Sequence, residues 1–412
     1  MEEKNNMGRR SFLKTVTLTA AGILTTSSCS ETANKPSKTA ESSTETATAE
    51  QPAESPAMPV RELGKTGVKI PILGLGTSQS LDPVYDKVLH LCFKEGVTYL
   101  DTALSYGWGA SHRAIANFIK QIGDRKKVWI TSKSGNRTPE GLIADIDKCL
   151  AELQTDYLDL YLMHGIDDIG MLDKAFIETG DRLRKSGKTR FFGFSCHGGD
   201  VVKLLNKAAE VGGIDAILFR YNFRQYGDRE LNLAIDACSK AGIGLLAMKT
   251  MGSVPGDIEK VVEFRSQNFT LGQAKLKSVW ADTRIASIIS EMDSVKIARE
   301  NIAAAKSQKT IKAEEMHQLN RLAALTAGYA CNGCSHLCES VVGRKIAIAD
   351  PLRYLMYYEC YGKQARAREL YQALPLEAKN FDIEDLKKAS AVCPQKIDIA
   401  ARLSKARSLL AG

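Results

Sequence analysis

The 412 residues are 44% hydrophobic and 25% charged, an ordinary globular composition that excludes a chain disordered throughout, a fibrous repeat and a polytopic membrane protein. Single cores stop growing near about 250–300 residues, so one large α/β barrel with a small extra module is the prior for this length. The 56 Lys and Arg against 48 Asp and Glu leave a formal charge of +8, spread along the chain without a basic arm, which argues against nucleic acid as a partner.

At the N-terminus, Gly8-Arg9-Arg10-Ser11-Phe12-Leu13-Lys14 sets an arginine pair ahead of Phe-Leu-Lys, and a short apolar run from Thr15 to Leu24 follows. A bilayer core needs about 20 apolar residues, so this run is the h-region of a signal and not a transmembrane helix. Residues 1–29 resemble a twin-arginine export signal, which implies that the chain crosses the membrane already folded and works in the periplasm or on the outer face of a bacterial membrane. Thr26-Ser27-Ser28-Cys29 is similar to a lipoprotein cleavage site and implies a lipid anchor on Cys29. Residues 30–59 are Ser, Thr, Ala, Glu and Pro with almost no large apolar side chains; such a segment cannot offset its ordering entropy and reads as a tether.

From Arg61 short β-rich runs alternate with longer helical ones. The candidate strands are Ile70–Leu75, Thr98–Asp101, Val128–Ser132, Tyr157–Met163, Thr189–Phe194, Ala216–Phe219, Gly244–Ala247 and Ile285–Ile289. The candidate helices are Lys87–Lys94, Ser111–Gln121, Leu142–Leu153, Ala175–Ser186, Val201–Ala209, Glu230–Ala241 and Asp257–Ser266. Eight strand–helix units in about 250 residues predict an α/β fold of the (β/α)₈ TIM-barrel type over residues 60–310. Catalytic groups in that fold project from the C-terminal ends of the strands. Here those ends carry Asp101, then Tyr106 just beyond it, Lys133 and His164. A free phenol titrates near pH 10. An adjacent ammonium favours the phenolate and lowers that value, and a carboxylate keeps the ammonium in place, so Tyr106 is expected to act as general acid with His164 orienting a carbonyl. Singly, each residue has a structural reading: a buried Lys133–Asp101 ion pair, a satisfied core histidine.

These residues resemble the aldo/keto reductase family, over most of residues 60–305. Arg61-Glu62-Leu63-Gly64-Lys65-Thr66-Gly67, Leu73-Gly74-Leu75-Gly76-Thr77 and Asp101-Thr102-Ala103 with Tyr106-Gly107 carry the likeness, joined by Gly193-Phe194-Ser195, Tyr221-Asn222 and Glu300-Asn301. The resemblance implies hydride transfer between a nicotinamide cofactor, NAD(P)H, and a carbonyl or alcohol. It makes Asp101, Tyr106, Lys133 and His164 the catalytic tetrad, sets Ser195 on the carboxamide and Tyr221 on the nicotinamide ring, and gives Lys249 and Asn301 to the rest of the cofactor. The chain departs from the family pattern at Cys196, Leu218, Glu291 and Ile297. Glu291 would repel a 2′-phosphate unless Lys296 or Arg299 approached it, which argues against tight NADP binding of the usual kind and leaves NAD, a weakly held cofactor and a tetrad working on something else all open.

Residues 311–412 belong to a different object, a small helical cysteine-rich domain. Cys331-Asn332-Gly333-Cys334-Ser335-His336-Leu337-Cys338 and the remote Cys393-Pro394 are thiolate usage for a [4Fe–4S] cluster, with Cys360 as a substitute ligand. A four-thiolate zinc site and a pair of disulfides are the competing readings. Some aldo/keto reductase relatives carry such a ferredoxin-like extension, so the resemblance extends to domain order. Cys92, Cys149 and Cys238 lie on apolar helical faces and read as core. The sequence thus points to an exported oxidoreductase acting on a small carbonyl or sugar-like alcohol, with a redox partner served by the cluster. The alternative is an iron–sulfur electron-transfer or binding protein whose barrel is not catalytically active.

Overall fold

The computed structural model describes residues 56–343 and 345–412; the expected export signal, Cys29 and the tether up to residue 55 lie outside the described residues. Two short strands, β1 (Val60–Glu62) and β2 (Lys69–Pro71), pair antiparallel with Val60 opposite Pro71. The turn between them drives Leu63 into the base of the barrel, where it joins Tyr99, Trp129, Leu160, Leu162 and Leu246 in the inner core. Arg61 fastens this plug by donating to the carbonyls of Trp280, Asp282 and Ile285 at 2.7, 3.0 and 2.7 Å.

Eight parallel strands then close on themselves: β3 (Leu73–Gly76), β4 (Tyr99–Asp101), β5 (Trp129–Ser134), β6 (Leu158–Met163), β7 (Thr189–Cys196), β8 (Ala216–Arg220), β9 (Gly244–Met248) and β10 (Ile285–Glu291). β10 returns to β3 with Ile288 beside Leu73. Because side chains alternate along a strand, Leu160 and Leu162 fill the barrel while Tyr161 and Met163 pack under the surrounding helices. The helices begin where a short polar side chain can satisfy their first amides: Asp86 accepts from Val88 and Leu89, Asp173 from Phe176, Asp228 from Leu231, and Thr138 from Gly141 ahead of Pro139.

Two expectations need correction. The run from Ile70 to Leu75 is not one strand, because its first residues belong to the hairpin and its last to the barrel. The stretch from Asp257 to Ser266 is not one helix either: only Gly256–Glu259 is helical, and the helix of this unit is Leu271–Trp280, opened by a reciprocal cap between Thr270 and Gln273. Local periodicity loses here to tertiary contacts. Val262, Phe264 and Phe269 pack with Leu319 and Leu322 of a later helix, and the Ser266 hydroxyl accepts from the amides of Asn268 and Phe269.

After residue 311 the chain is helical, over Ala313–Leu325, Ser335–Cys338, Ala349–Cys360, Gln364–Gln372, Leu376–Lys379, Ile383–Ala391 and Ile399–Leu410. These helices have apolar cores of their own, one around Ile348, Leu352, Leu386 and Leu403 and one around Tyr354, Leu355, Tyr371 and Leu410. They also pack onto the barrel in one compact unit, Ser55–Gly412, tied in part by Arg224, which donates to Ala323 O at 3.1 Å and Thr326 Oγ1 at 2.7 Å. Among the described residues no helix is long and apolar enough to cross a membrane.

Candidate active site and cysteine pocket

Asp101 closes β4 beside β5, the strand that carries Lys133. The Lys133 ammonium donates to Asp101 Oδ1 at 2.5 Å and to Thr102 O at 2.7 Å, with both side chains buried. Burial pushes the carboxyl up and the ammonium down, and their mutual attraction opposes both shifts. Tyr106 stands on the short helical turn after β4, where Gly107 and Trp108 adopt the left-handed backbone at φ 56° and 53°. Its ring centroid is 5.0 Å from Lys133 Nζ and 5.9 Å from the His164 ring, which it meets edge-on. Burial, Asp101 and Tyr357 hold the phenol well above its usual value, while Arg353 and Arg366 act in the opposite direction. This corrects the expectation that Lys133 dominates: burial outweighs the nearby ammonium, so Tyr106 is a protonated donor at neutral pH.

His164 follows β6, its amide donating to Ser134 O at 2.7 Å and its carbonyl accepting from Arg137 at 2.9 Å. Burial, with Lys133, Arg353 and other cations behind it, brings its pKa down to about 3, so the imidazole is neutral. The His197 ring lies 5.9 Å further on and is neutral for the same reason.

Tyr106, His164 and His197 line a cavity of about 430 Å³ whose opposite wall comes from the C-terminal helices, through Arg353, Tyr357, Lys363 and Arg366. Sequence reasoning missed that wall. The signal available was the basic and aromatic spacing Arg353-Tyr354…Tyr357, which places one face of a helix together. Lys249, just past β9 with a left-handed φ of 59°, donates to the Tyr357 hydroxyl at 2.9 Å. Burial alone would raise the Tyr357 phenol, but Lys249 and Arg353 bring it down to about 8.

Of the four residues expected to bind the cofactor, Lys249 alone lines this cavity. Tyr221 is a correction: strand alternation turns it outward, so its ring is fully buried in the barrel–helix layer and its hydroxyl donates to Asp282 Oδ2 at 2.9 Å. Ser195 is buried and its hydroxyl accepts from Gly165 N at 3.0 Å. Asn301 is buried too, donating to Ser290 Oγ at 3.1 Å. Glu291 pairs with Lys363 of the C-terminal helices, not with Lys296 or Arg299.

Cys331, Cys334, Cys338 and Cys393 line a single small pocket walled by Leu337, Ile348, Leu352, Ile397 and Ile399. All four are free thiols, and the Cys331 sulfur accepts from Gly333 N at 3.3 Å. Among the described residues, no group of three or more His, Cys, Asp or Glu side chains is placed to hold a metal ion. Cys360 stands apart from the four, close to Glu359 and Arg402. Cys92, Cys149 and Cys238 are buried in the barrel's outer core, as is Cys196.

The cysteine loop sits directly on the barrel mouth. Gly199 N donates to Gly333 O at 2.8 Å. Arg220 bridges the two parts by donating to His197 O at 3.1 Å and to Cys331 O. Gly333 has φ +75°, and a Cβ there would lie 2.8 Å from His197 O, so only glycine permits this approach.

Gly333→Ala is therefore expected to cost about 1–3 kcal/mol and to loosen the loop, read as a lower melting temperature together with faster maleimide labelling of Cys331 and Cys334. A second expectation concerns pH. Because burial and nearby cations bring His164 down to about 3 when folded, against about 6.5 when unfolded, the unfolded chain alone takes up its proton in between, so the contribution of this group to stability is fully present above about pH 6.5 and is lost as pH falls. His164→Gln should remove roughly 2 kcal/mol of the loss between pH 6.5 and 5, measured by urea denaturation at both values.

Residues 73–260 match the model of the Aldo/keto reductase family. The chain is 26% identical over 283 residues to L-galactose dehydrogenase of Arabidopsis thaliana, across 60% of this chain and 87% of that protein. The aldo-keto reductase AKR11C1 of Bacillus halodurans superposes with a TM-score of 0.56 at 22% identity, covering 64% of this chain and 96% of the other. An aldo-keto reductase of Klebsiella pneumoniae solved in complex with NADPH gives 0.52 at 21%, over 65% and 95%. The closed eight-stranded barrel carries Asp101, Tyr106, Lys133 and His164 at its C-terminal end, its residues 73–260 are similar to the aldo/keto reductase family, and the chain is an NAD(P)-dependent oxidoreductase.

Proposed function

We propose that the barrel mouth interconverts a carbonyl and its alcohol on a small, sugar-like molecule, with Tyr106 as general acid/base. The observation that carries this reading is that Tyr106 and His164 meet at one cavity, with the buried Lys133–Asp101 pair behind Tyr106. In reduction the protonated Tyr106 phenol gives its proton to the carbonyl oxygen. Neutral His164 donates a hydrogen bond that orients that oxygen, and Lys133, anchored by Asp101, stabilises the phenolate left behind.

A nicotinamide nucleotide, when bound, supplies or takes the hydride. The residues at the mouth fit its charged portion, since Lys249 and Lys363 stand there and Lys363 neutralises Glu291. That pairing removes the main objection to a 2′-phosphate, and the NADPH of the Klebsiella enzyme favours the same form. A second reading, an electron-transfer or binding protein with an inactive barrel, draws its support from Ser195, Tyr221 and Asn301, none of which reaches the cavity.

Residues 311–412 are proposed to hold a [4Fe–4S] cluster on Cys331, Cys334, Cys338 and Cys393. What supports this reading is that four free thiols line one apolar pocket and an amide donates to one of the sulfurs, although the four are not drawn together as a ligand set. Such a cluster adds one-electron chemistry and calls for a redox partner. Cluster assembly in the cytoplasm agrees with a twin-arginine signal in residues 1–29, and a lipid on Cys29 with a tether over residues 30–59 would hold the enzyme at the outer face of the membrane.

Tyr106→Phe is expected to lower carbonyl reduction at least about a hundredfold with folding and nucleotide binding unchanged; reduction at full rate would refute the assignment. Purified protein is expected to contain about four iron and four sulfide per chain and to release a nicotinamide nucleotide on denaturation. Cys334→Ser should lose the iron and the brown absorbance, whereas zinc in place of iron would remove the cluster.

A further inference from the structure

The cavity wall facing Tyr106 is cationic. Arg220, Lys249, Arg353, Lys363 and Arg366 line it, against the carboxylates of Asp167, Glu339 and Asp350. Most of these groups are already engaged. Arg220 bridges His197 O and Cys331 O, Lys249 holds the Tyr357 hydroxyl, Lys363 pairs with Glu291, and Glu339 accepts from the amides of Ile348 and Ala349.

Arg353 is different. One end of its guanidinium pairs with Asp350 at 2.7 Å and reaches the Tyr354 hydroxyl at 3.5 Å, while Nε is buried with no partner. His197 Nδ1, on the same lining, is also buried and unpartnered. Buried donors are normally satisfied, and one that is not points to a missing acceptor. Arg366 adds a second fork, half-exposed and paired with Glu369 alone at 2.7 Å. Both arginines are near enough to act on the Tyr106 phenol, and Arg353 acts on His164 and His197 as well. If these cations served only to bind the C-terminal helices to the barrel, their donors would be used up across the interface, and Nε of Arg353 is not.

We infer that the carbonyl substrate carries a carboxylate or phosphate, received by Arg353 and Arg366 opposite Tyr106. A planar guanidinium fork matches either oxyanion. This inference deepens, and rests on, the reading of the mouth as the reacting site; it places substrate selection on the C-terminal helices and reduction on the barrel.

The test is calorimetric titration of the full chain with malonate and with inorganic phosphate, without turnover, in the presence and absence of saturating NADPH. At least one anion is expected to bind one per chain, with NADPH bound or not. Arg366→Gln is expected to weaken it about tenfold, Arg353→Gln more, and Arg353→Lys less than Arg353→Gln. No binding of either anion overturns the inference, as do affinities unchanged within twofold in Arg366→Gln and Arg353→Gln. Displacement of the anion by NADPH overturns it also, assigning the cations to the cofactor diphosphate. Anion binding is independent of proton donation by Tyr106, so loss of the catalytic assignment through Tyr106→Phe is read separately.

Discussion

The ion pair between Lys133 and Asp101 sets the terms for everything at the barrel mouth. Two charges taken out of water are tolerable only in close mutual contact, and parallel pairing of β4 with β5 puts the two side chains at that separation. The Thr102 carbonyl accepts a second hydrogen bond from the ammonium. With Lys133 so engaged, the phenol of Tyr106 is governed by burial, and the neighbouring imidazoles stay neutral. On the barrel side the site is therefore a pair of uncharged groups, Tyr106 and His164, resting on one ion pair, an arrangement suited to handing a proton to a carbonyl.

The C-terminal helices complete this environment. Their tyrosine and basic residues replace solvent over the strand ends, and Tyr357 has a phenol brought down to about 8 by Lys249 and Arg353 against the effect of burial. Two of the tyrosines at the mouth thus have opposite electrostatics, Tyr106 on the barrel beside the Lys133–Asp101 pair and Tyr357 on the helices beside lysine and arginine. The same helices neutralise Glu291, a residue that looks unfavourable for a phosphate when the barrel is considered alone.

Much of the barrel is legible in the sequence because strand alternation and strand-end polarity are local signals. Asp101, Lys133 and His164 stand at strand ends, and the structure brings them together with Tyr106. The positions taken from resemblance alone were less well read. Tyr221 lies one residue past β8, and a change of one residue along a strand exchanges the barrel interior for the helix layer. The helix expected at Asp257–Ser266 gave way to packing of Phe264 and Phe269 against Leu319 and Leu322 of the helix Ala313–Leu325, which no window of sequence reveals. The cationic wall was hidden for the same reason: Arg353 and Arg366 acquire a meaning only when their helices are laid on the barrel.

The helix Ala349–Cys360 serves two compartments through adjacent residues. Leu352 walls the cysteine pocket and Arg353 lines the mouth. A helix advances by about 1.5 Å per residue and is stiff over its length, so it cannot be displaced at one of these positions and stay still at the other. A change in the cysteine pocket that moves Leu352 therefore also moves the backbone from which Arg353 reaches the mouth. The two chambers share a wall.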